Sequence, residues 1–188
     1  FGLSPEDEAS QVATTALERG QREAVVLVPD SSWGERLAKA FIRTYQTGGG
    51  HIVTHERYPN NPKNYLAHVQ RSVGNPTTQM VFLAASPSQA RLMRPLLLAQ
   101  ASQLPVYATS HIFSGRLDRN KDADLDGIIY TEIPWVLNNI NNSLLASSQY
   151  PRMYALGIDA FLVAKNMQNL VYGNQALRGQ TGQVSMQN

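Results

Sequence analysis

The sequence contains no cysteine. That absence excludes disulfide bonds, thiolate-bound metal centres and a cysteine nucleophile, but it does not indicate the compartment, because many exported proteins also lack cysteine. No segment approaches the ~18 consecutive apolar residues that a membrane-spanning helix requires. With 188 residues and 43% hydrophobic side chains, the chain is long enough to bury a core.

Clustered charge of one sign is also lacking. The 16 basic and 14 acidic residues give a formal net charge of +2 and are spread along the whole chain. Proteins that bind nucleic acids usually carry a concentrated basic patch. The sequence therefore predicts no nucleic-acid partner.

Residue patterns for catalysis and metal binding are weak or incomplete. His51 and His55 lie in a strand pattern, where their side chains would be ~13 Å apart and could not share a zinc ion. The segment Asp122–Ile129 matches the start of a calcium-binding loop, but Ile133 stands where the twelfth position needs a glutamate. No nucleophile has a recognisable base nearby. We therefore predict no catalytic residue, no metal site, no cofactor and no enzymatic activity.

Short apolar strands alternate with capped helices along the first two thirds of the chain. Helices are predicted to begin near Ser4, at the capping box of Ser32 and Glu35, after Asn61 and at Ser86. This alternation predicts an α/β fold with a doubly wound parallel sheet and flanking helices. The predicted strands are Ala24–Val28, His51–Tyr58, Met80–Ala84, Val106–Ala108 and Gly127–Tyr130.

The character of the sequence changes after Trp135. An asparagine-rich linker precedes one long predicted helix, Met153–Tyr172, and a hairpin over Arg178–Met186 that has no partner strands in this chain. We predict a first lobe at 1–133, and a crossover, helix and hairpin of an incomplete second lobe at 134–188. The chain opens at Phe1 without methionine or a signal region, so we expect it to be an excised piece whose missing parts lie mainly upstream.

Loops at the carboxyl ends of the predicted strands carry many hydroxyl groups. In doubly wound sheets ligands bind beyond these strand ends. One interpretation is a polar cleft for an unidentified small molecule, and the other is that Ser32 and Ser86 merely cap helices. The cleft candidates are Ser31, Ser32, Trp33, Ser86, Ser110 and His111, and we expect Trp33 to be partly exposed near the strand ends as the first residue of its helix.

Six stretches of the chain stand out: Phe1–Ala9, Ser31–Arg36, Tyr107–Ser110, Leu125–Gly127, Ile133–Trp135 and Arg152–Ala160. In this order they resemble the C-terminal domain of the LppC/LpoA lipoproteins. The end of the sixth stretch, Gly157–Ala160, and the separate stretch Gly179–Gly182 also resemble type I periplasmic binding proteins in general. The resemblance implies one lobe of a two-lobed, type I periplasmic-binding-protein-like fold plus a remnant of the second lobe.

The family resemblance also implies a function. Such a protein would be non-catalytic, and would bind a class A penicillin-binding protein and stimulate its transpeptidase activity in peptidoglycan synthesis. It would lie in the periplasm, held to the inner face of the outer membrane by a lipid anchor outside this chain. The alternative is a periplasmic binding protein or receptor for an amino acid or a sugar-like molecule. Because arginine and aromatic side chains often anchor interfaces, we predict partner contacts at Arg36, Arg43, Tyr58 and Arg116.

Overall fold

A computed structural model describes residues 4–114, 118–139, 150–173 and 176–185. They belong to two compact units. The sheet unit comprises Ser4–Ser114 with Asp118–Thr131, and the helical unit comprises the described residues from Glu132 onward. In the described residues, no helix is both long and apolar enough to cross a membrane.

The sheet unit is built on five parallel strands in the order β2-β1-β3-β4-β5, which confirms the predicted sheet. The strands are β1 Glu23–Pro29, β2 His51–Tyr58, β3 Met80–Leu83, β4 Val106–Ala108 and β5 Ile128–Tyr130. The helices are α1 Pro5–Glu18, α2 Ser32–Thr47, α3 Tyr65–Val73, α4 Pro87–Ala101 and α5 Arg119–Asp122. Short 3-10 turns lie at Pro62–Asn64, Ser110–Ile112 and Ala123–Leu125.

Helices cover both faces of this sheet. On one face, Val26 and Phe82 belong to a core formed with α1 and α2, and the ring of Phe82 stacks on that of Phe41 with centroids 4.4 Å apart. Alternate residues such as Val25 and Val81 are equally buried and point to the opposite face. All side chains of β3 and β4 are buried, because central strands of a parallel sheet contact helices on both sides.

The pairing of β1 with β2 contains one irregularity. Ala24 pairs with Ile52, whereas the next residue, Val25, pairs with Thr54. Val53 is therefore an extra residue in β2, which lies at one end of the strand order. Such a bulge locally bends and twists its strand.

Helix capping agrees with the sequence at two positions and differs at a third. Ser4 caps α1, and Ser86 forms a full capping box with Gln89 at the start of α4. The predicted capping box at Ser32 is wrong, because the hydroxyl of Ser31 accepts the Gly34 N–H at 3.1 Å and α2 begins one residue earlier. Trp33 is consequently the second residue of α2, although it is partly exposed as predicted.

The helical unit contains α6 Pro134–Asn139, α7 Pro151–Lys165, α8 Met167–Tyr172 and the paired two-residue strands β6 Leu177–Arg178 and β7 Gln183–Val184. The antiparallel pairing confirms a hairpin here; Met186, the predicted end of the hairpin, lies outside the described residues. The prediction of one continuous helix is wrong. Asn166 separates α7 from α8, with φ −111° and ψ 17°, and its side-chain amide donates to the Leu162 carbonyl. Asparagine favours such local hydrogen bonds over helix continuation.

Candidate functional site

Two of the predicted loops meet at the carboxyl edge of the sheet. The rings of Trp33, after β1, and His111, after β4, are tilted by 53° with centroids 5.2 Å apart. Trp33 is partly exposed and His111 is exposed. The structure therefore brings together the two ring-bearing residues among the cleft candidates.

The hydroxyl of Ser110 is turned inward and binds a carboxylate of the chain itself. Glu8, in the first turn of α1, accepts the Ser110 N–H at 2.6 Å and the Ser110 hydroxyl at 2.8 Å. The same carboxylate accepts the Thr131 hydroxyl, which follows β5, at 3.1 Å. Ser110 is only 2% exposed. Glu8 thus accepts the hydrogen bonds of donor groups at the ends of β4 and β5.

Sequence reasoning missed Glu8. Its position in the first turn of a helix is explained by the favourable interaction of acids with the helix dipole, and Ser110 lies 102 residues farther along the chain. Only the folded sheet brings the carboxylate to the strand ends. A sequence signal for this contact is absent, because the other acids in the same turn, Glu6 and Asp7, satisfy the dipole equally well.

The hydroxyls of Ser31 and Ser86 serve as helix caps. Ser31 binds the backbone of α2, and Ser86 exchanges hydrogen bonds with Gln89, whose side-chain amide donates to Asn60 at 3.2 Å. Ser32, the first residue of α2, is exposed. Two cleft candidates are therefore accounted for by capping, although the cap of α2 is Ser31 instead of the predicted Ser32.

Tyr58 is not an exposed partner contact, which corrects the sequence prediction. Its side chain is 0% exposed, and its hydroxyl donates to the Ala84 carbonyl at 2.6 Å. The ring contacts Tyr65 of α3 edge to face at 5.4 Å, and burial raises the pKa of the hydroxyl far above its ordinary value. Tyr58 ends β2 beneath the start of α3, so its aromatic ring fills the core.

Two of the predicted partner residues do lie on an exposed surface of α2. Arg36 and Arg43 line a groove of about 280 Å³ together with Glu6, Lys39 and Ala40. The guanidinium of Arg36 donates to Glu6 at 2.6 Å, and this hydrogen bond holds the pKa of Glu6 below its ordinary value. The fourth predicted contact, Arg116, lies outside the described residues. The groove is basic, with three cationic side chains against one carboxylate in its lining.

Buried carboxylates organise the helical unit. Glu132 is 1% exposed at its side chain and binds the guanidinium of Arg152 through both oxygens. Asp159 is fully buried and accepts the N–H groups of Gln180 and Thr181 at 2.6 and 2.7 Å, as well as the Thr181 hydroxyl at 2.6 Å. The contacts of Asp159 join Gly157–Ala160 to Gly179–Gly182, the two short stretches that resemble type I binding proteins.

The turn of the hairpin also depends on close approach at Gly179. A β-carbon at this position would lie 2.5 Å from a carboxylate oxygen of Asp159, closer than real contacts allow. Glycine therefore lets the hairpin backbone reach the buried carboxylate of α7.

Comparison with known proteins identifies the family. The family model described as "LppC putative lipoprotein" matches residues 1–188. The chain belongs to the LppC family. Among the members of this family with curated names, the penicillin-binding protein activator LpoA of Haemophilus influenzae is 32% identical over 180 residues. That match covers 90% of this chain and 31% of the relative.

A second activator shows the same partial coverage. The penicillin-binding protein activator LpoA of Escherichia coli K12 is 26% identical, and the match covers 98% of this chain and 34% of that protein. The LppC chain described here therefore spans about a third of the length of the curated relatives it matches.

Solved structures agree on the fold. The LpoA (YraM) C-domain from Haemophilus influenzae, described as a regulator of PBP1A, matches with a TM-score of 0.80 and 29% identity over 100% of this chain and 61% of that one. A solute binding protein of an ABC transporter from R. palustris, in complex with benzoate, has a TM-score of 0.65 at 14% identity over 98% of this chain and 56% of that one. The second likeness shows only that the LppC chain shares a periplasmic-binding-protein-like fold.

Proposed function

We propose that this chain is the part of an envelope lipoprotein that binds a class A penicillin-binding protein and stimulates its transpeptidase activity. It acts by contact, without chemistry of its own, as a regulator of peptidoglycan synthesis. The protein works in the periplasm, held to the inner face of the outer membrane by a lipid outside this chain. Membership of the LppC family and two activators of penicillin-binding proteins among the relatives support this proposal.

The hydrogen bonds that Glu8 accepts favour an activator over a small-molecule receptor. A binding protein for an anionic small molecule needs open donors at the strand ends. Here the Ser110 N–H, the Ser110 hydroxyl and the Thr131 hydroxyl all donate to Glu8, and the hydroxyls of Ser31 and Ser86 cap helices. Contact with a protein partner does not require any of these groups, so the arrangement favours the activator.

A second candidate is a receptor for an amino acid or a sugar-like molecule. The tilted ring pair of Trp33 and His111 supports it, because aromatic faces at a strand-end loop can pack against the apolar side of a small ligand.

The division of the chain into two compact units supports a further proposal about the fold. The sheet unit is one lobe of a binding-protein fold, and the helical unit belongs to the other lobe, with the boundary near residue 132.

The test compares the full-length protein with variants of the strand-end loops. Binding to a purified class A penicillin-binding protein is measured by pull-down, and stimulation is measured as the rate of peptide cross-linking. We expect Ser31→Ala, Ser86→Ala and Ser110→Ala to leave stimulation within about twofold of the wild type, since these hydroxyls face inward or cap helices.

A matched experiment addresses the receptor. Thermal unfolding is followed in the presence of amino acids and sugars, with Trp33→Ala as the variant expected to lose any ligand-induced rise in melting temperature. A rise that depends on Trp33, together with no binding of the synthase by the wild type, would replace the activator with the receptor.

A further inference from the structure

The basic groove on the sheet unit lies along one face of α2. Arg36, Lys39 and Arg43 follow one another at intervals of three and four residues, and Ala40 lies four residues after Arg36, which places all four on the same side of the helix. The side chains of Arg36 and Lys39 are 56% and 74% exposed. Ala40 lies between the longer side chains and leaves a hollow, and Glu6 of α1 lines the same groove.

The charges of this groove are only partly matched. Glu6 pairs with Arg36 at 2.6 Å, and Glu35 pairs with Lys39 at 3.2 Å one helical turn away. Among the described residues, Arg43 has no carboxylate within ion-pair distance, although it is exposed and lines the groove. The groove therefore presents one uncompensated guanidinium beside two cations that already have partners.

We infer that this groove is a docking site for an acidic segment of the partner protein, with a carboxylate on Arg43. A guanidinium can hold a carboxylate through two parallel hydrogen bonds, and arginine often anchors protein interfaces. The shallow space over Ala40 admits the methylene groups of a glutamate side chain. The identity of the partner rests on the proposed function, whereas the chemistry of the segment rests on the groove.

The small excess of charge favours a protein over a membrane or a nucleic acid. Anionic lipid surfaces are recognised by clusters of four to eight basic residues, and nucleic-acid binding depends on neutralising many phosphates. One unmatched arginine in a groove of about 280 Å³ suits a single carboxylate side chain in a defined position.

The experiment measures the dissociation constant between the full-length protein and a purified class A penicillin-binding protein. We expect Arg43→Glu to weaken binding by ~10-fold or more, and Arg43→Lys to weaken it less because the charge remains while the planar fork is lost. Lys63→Glu is the control, since Lys63 is exposed in the same unit and undergoes the same charge change. Its binding should stay within about twofold of the wild type.

Three outcomes separate the proposals. If the wild type does not bind the synthase, the proposed function fails, and binding of hexaglutamate peptide by the wild type but not by Arg43→Glu still supports the groove. If the wild type and Arg43→Glu bind the synthase equally, the docking site is wrong and the function stands. If Arg43→Glu loses only binding to phosphatidylglycerol vesicles, the groove recognises lipid instead of protein. Thermal unfolding of each variant verifies that the fold is intact.

Discussion

The two units of this chain are stabilised in different ways. In the sheet unit, β3 and β4 are completely buried and aromatic rings stack in the core. Among the described residues of the helical unit few side chains are buried, and large apolar residues such as Phe161 and Tyr172 are 69% and 85% exposed. There the buried carboxylates Glu132 and Asp159 make the specific contacts. The sheet unit therefore depends mainly on apolar burial, and the helical unit on a few charge-assisted hydrogen bonds.

The strongest test of this comparison removes apolar volume from the sheet unit. Phe82→Ala should lower the free energy of unfolding by about 3–5 kcal/mol, because Phe82 is fully buried and stacks on Phe41. Urea unfolding followed by circular dichroism measures the change. Leu92→Ala, at a position that is 50% exposed on α4, is the control and should change stability by less than about 0.5 kcal/mol. Similar losses from both variants would contradict a stacked apolar core.

The corresponding test in the helical unit removes one carboxylate. Asp159→Ala leaves two N–H groups and a hydroxyl without their acceptor, which should destabilise the hairpin by about 2–3 kcal/mol. Hydrogen exchange at the amides of Gln180 and Thr181 measures the local loss. Asp124→Ala, an exposed acid of the sheet unit, should leave those exchange rates unchanged. Unaltered exchange in Asp159→Ala would show that the hairpin is held by other contacts.

A smaller loss of stability is expected from removing the carboxylate of Glu8, which makes polar contacts in the otherwise apolar sheet unit. Glu8→Ala should lower the free energy of unfolding by about 1–2 kcal/mol, since Ser110 and Thr131 lose their common acceptor. Added acetate should recover part of the melting temperature by occupying the vacated position. Asp7→Ala removes an exposed acid from the same helical turn and should not respond to acetate. An equal response of the two variants would mean that the effect of acetate is not specific to the strand ends.

The smallest effect concerns pH. Burial of Glu56 opposes its ionisation, but hydrogen bonds from Arg71 and His68 outweigh that cost and hold the pKa of Glu56 below its ordinary value of about 4.5. A lowered pKa stabilises the folded state fully above that ordinary value, and the contribution is lost as pH falls through the folded-state pKa. We expect this contribution of Glu56 to the free energy of unfolding to be at most about 1 kcal/mol. Unfolding of wild type and Glu56→Gln between pH 7 and pH 3 measures it, and parallel pH profiles would disprove it.

The sequence predicts the sheet well, because short runs rich in β-branched residues alternate with capped helices, a pattern typical of a parallel sheet in an α/β fold. It predicts that Arg36 and Arg43 are exposed, and both are exposed on α2. It fails at Tyr58, since an aromatic residue at a strand end has the same local pattern whether its ring faces solvent or the core. It also misses Glu8, whose contacts depend on strands far along the chain. Local patterns therefore predict elements and helix faces, but not contacts that only the tertiary fold creates.

The extra residue Val53 in β2 affects how readily a second chain could pair with this outermost strand. An outermost strand is a template on which a second chain can add by backbone hydrogen bonding. The inserted residue breaks the two-residue repeat of the strand, and the exposed His51, His55 and Arg57 place polar or charged groups along it. Bulges and charged side chains on an outermost strand are features that oppose edge-to-edge pairing, so we expect the inserted Val53 to disfavour the addition of a second strand to β2.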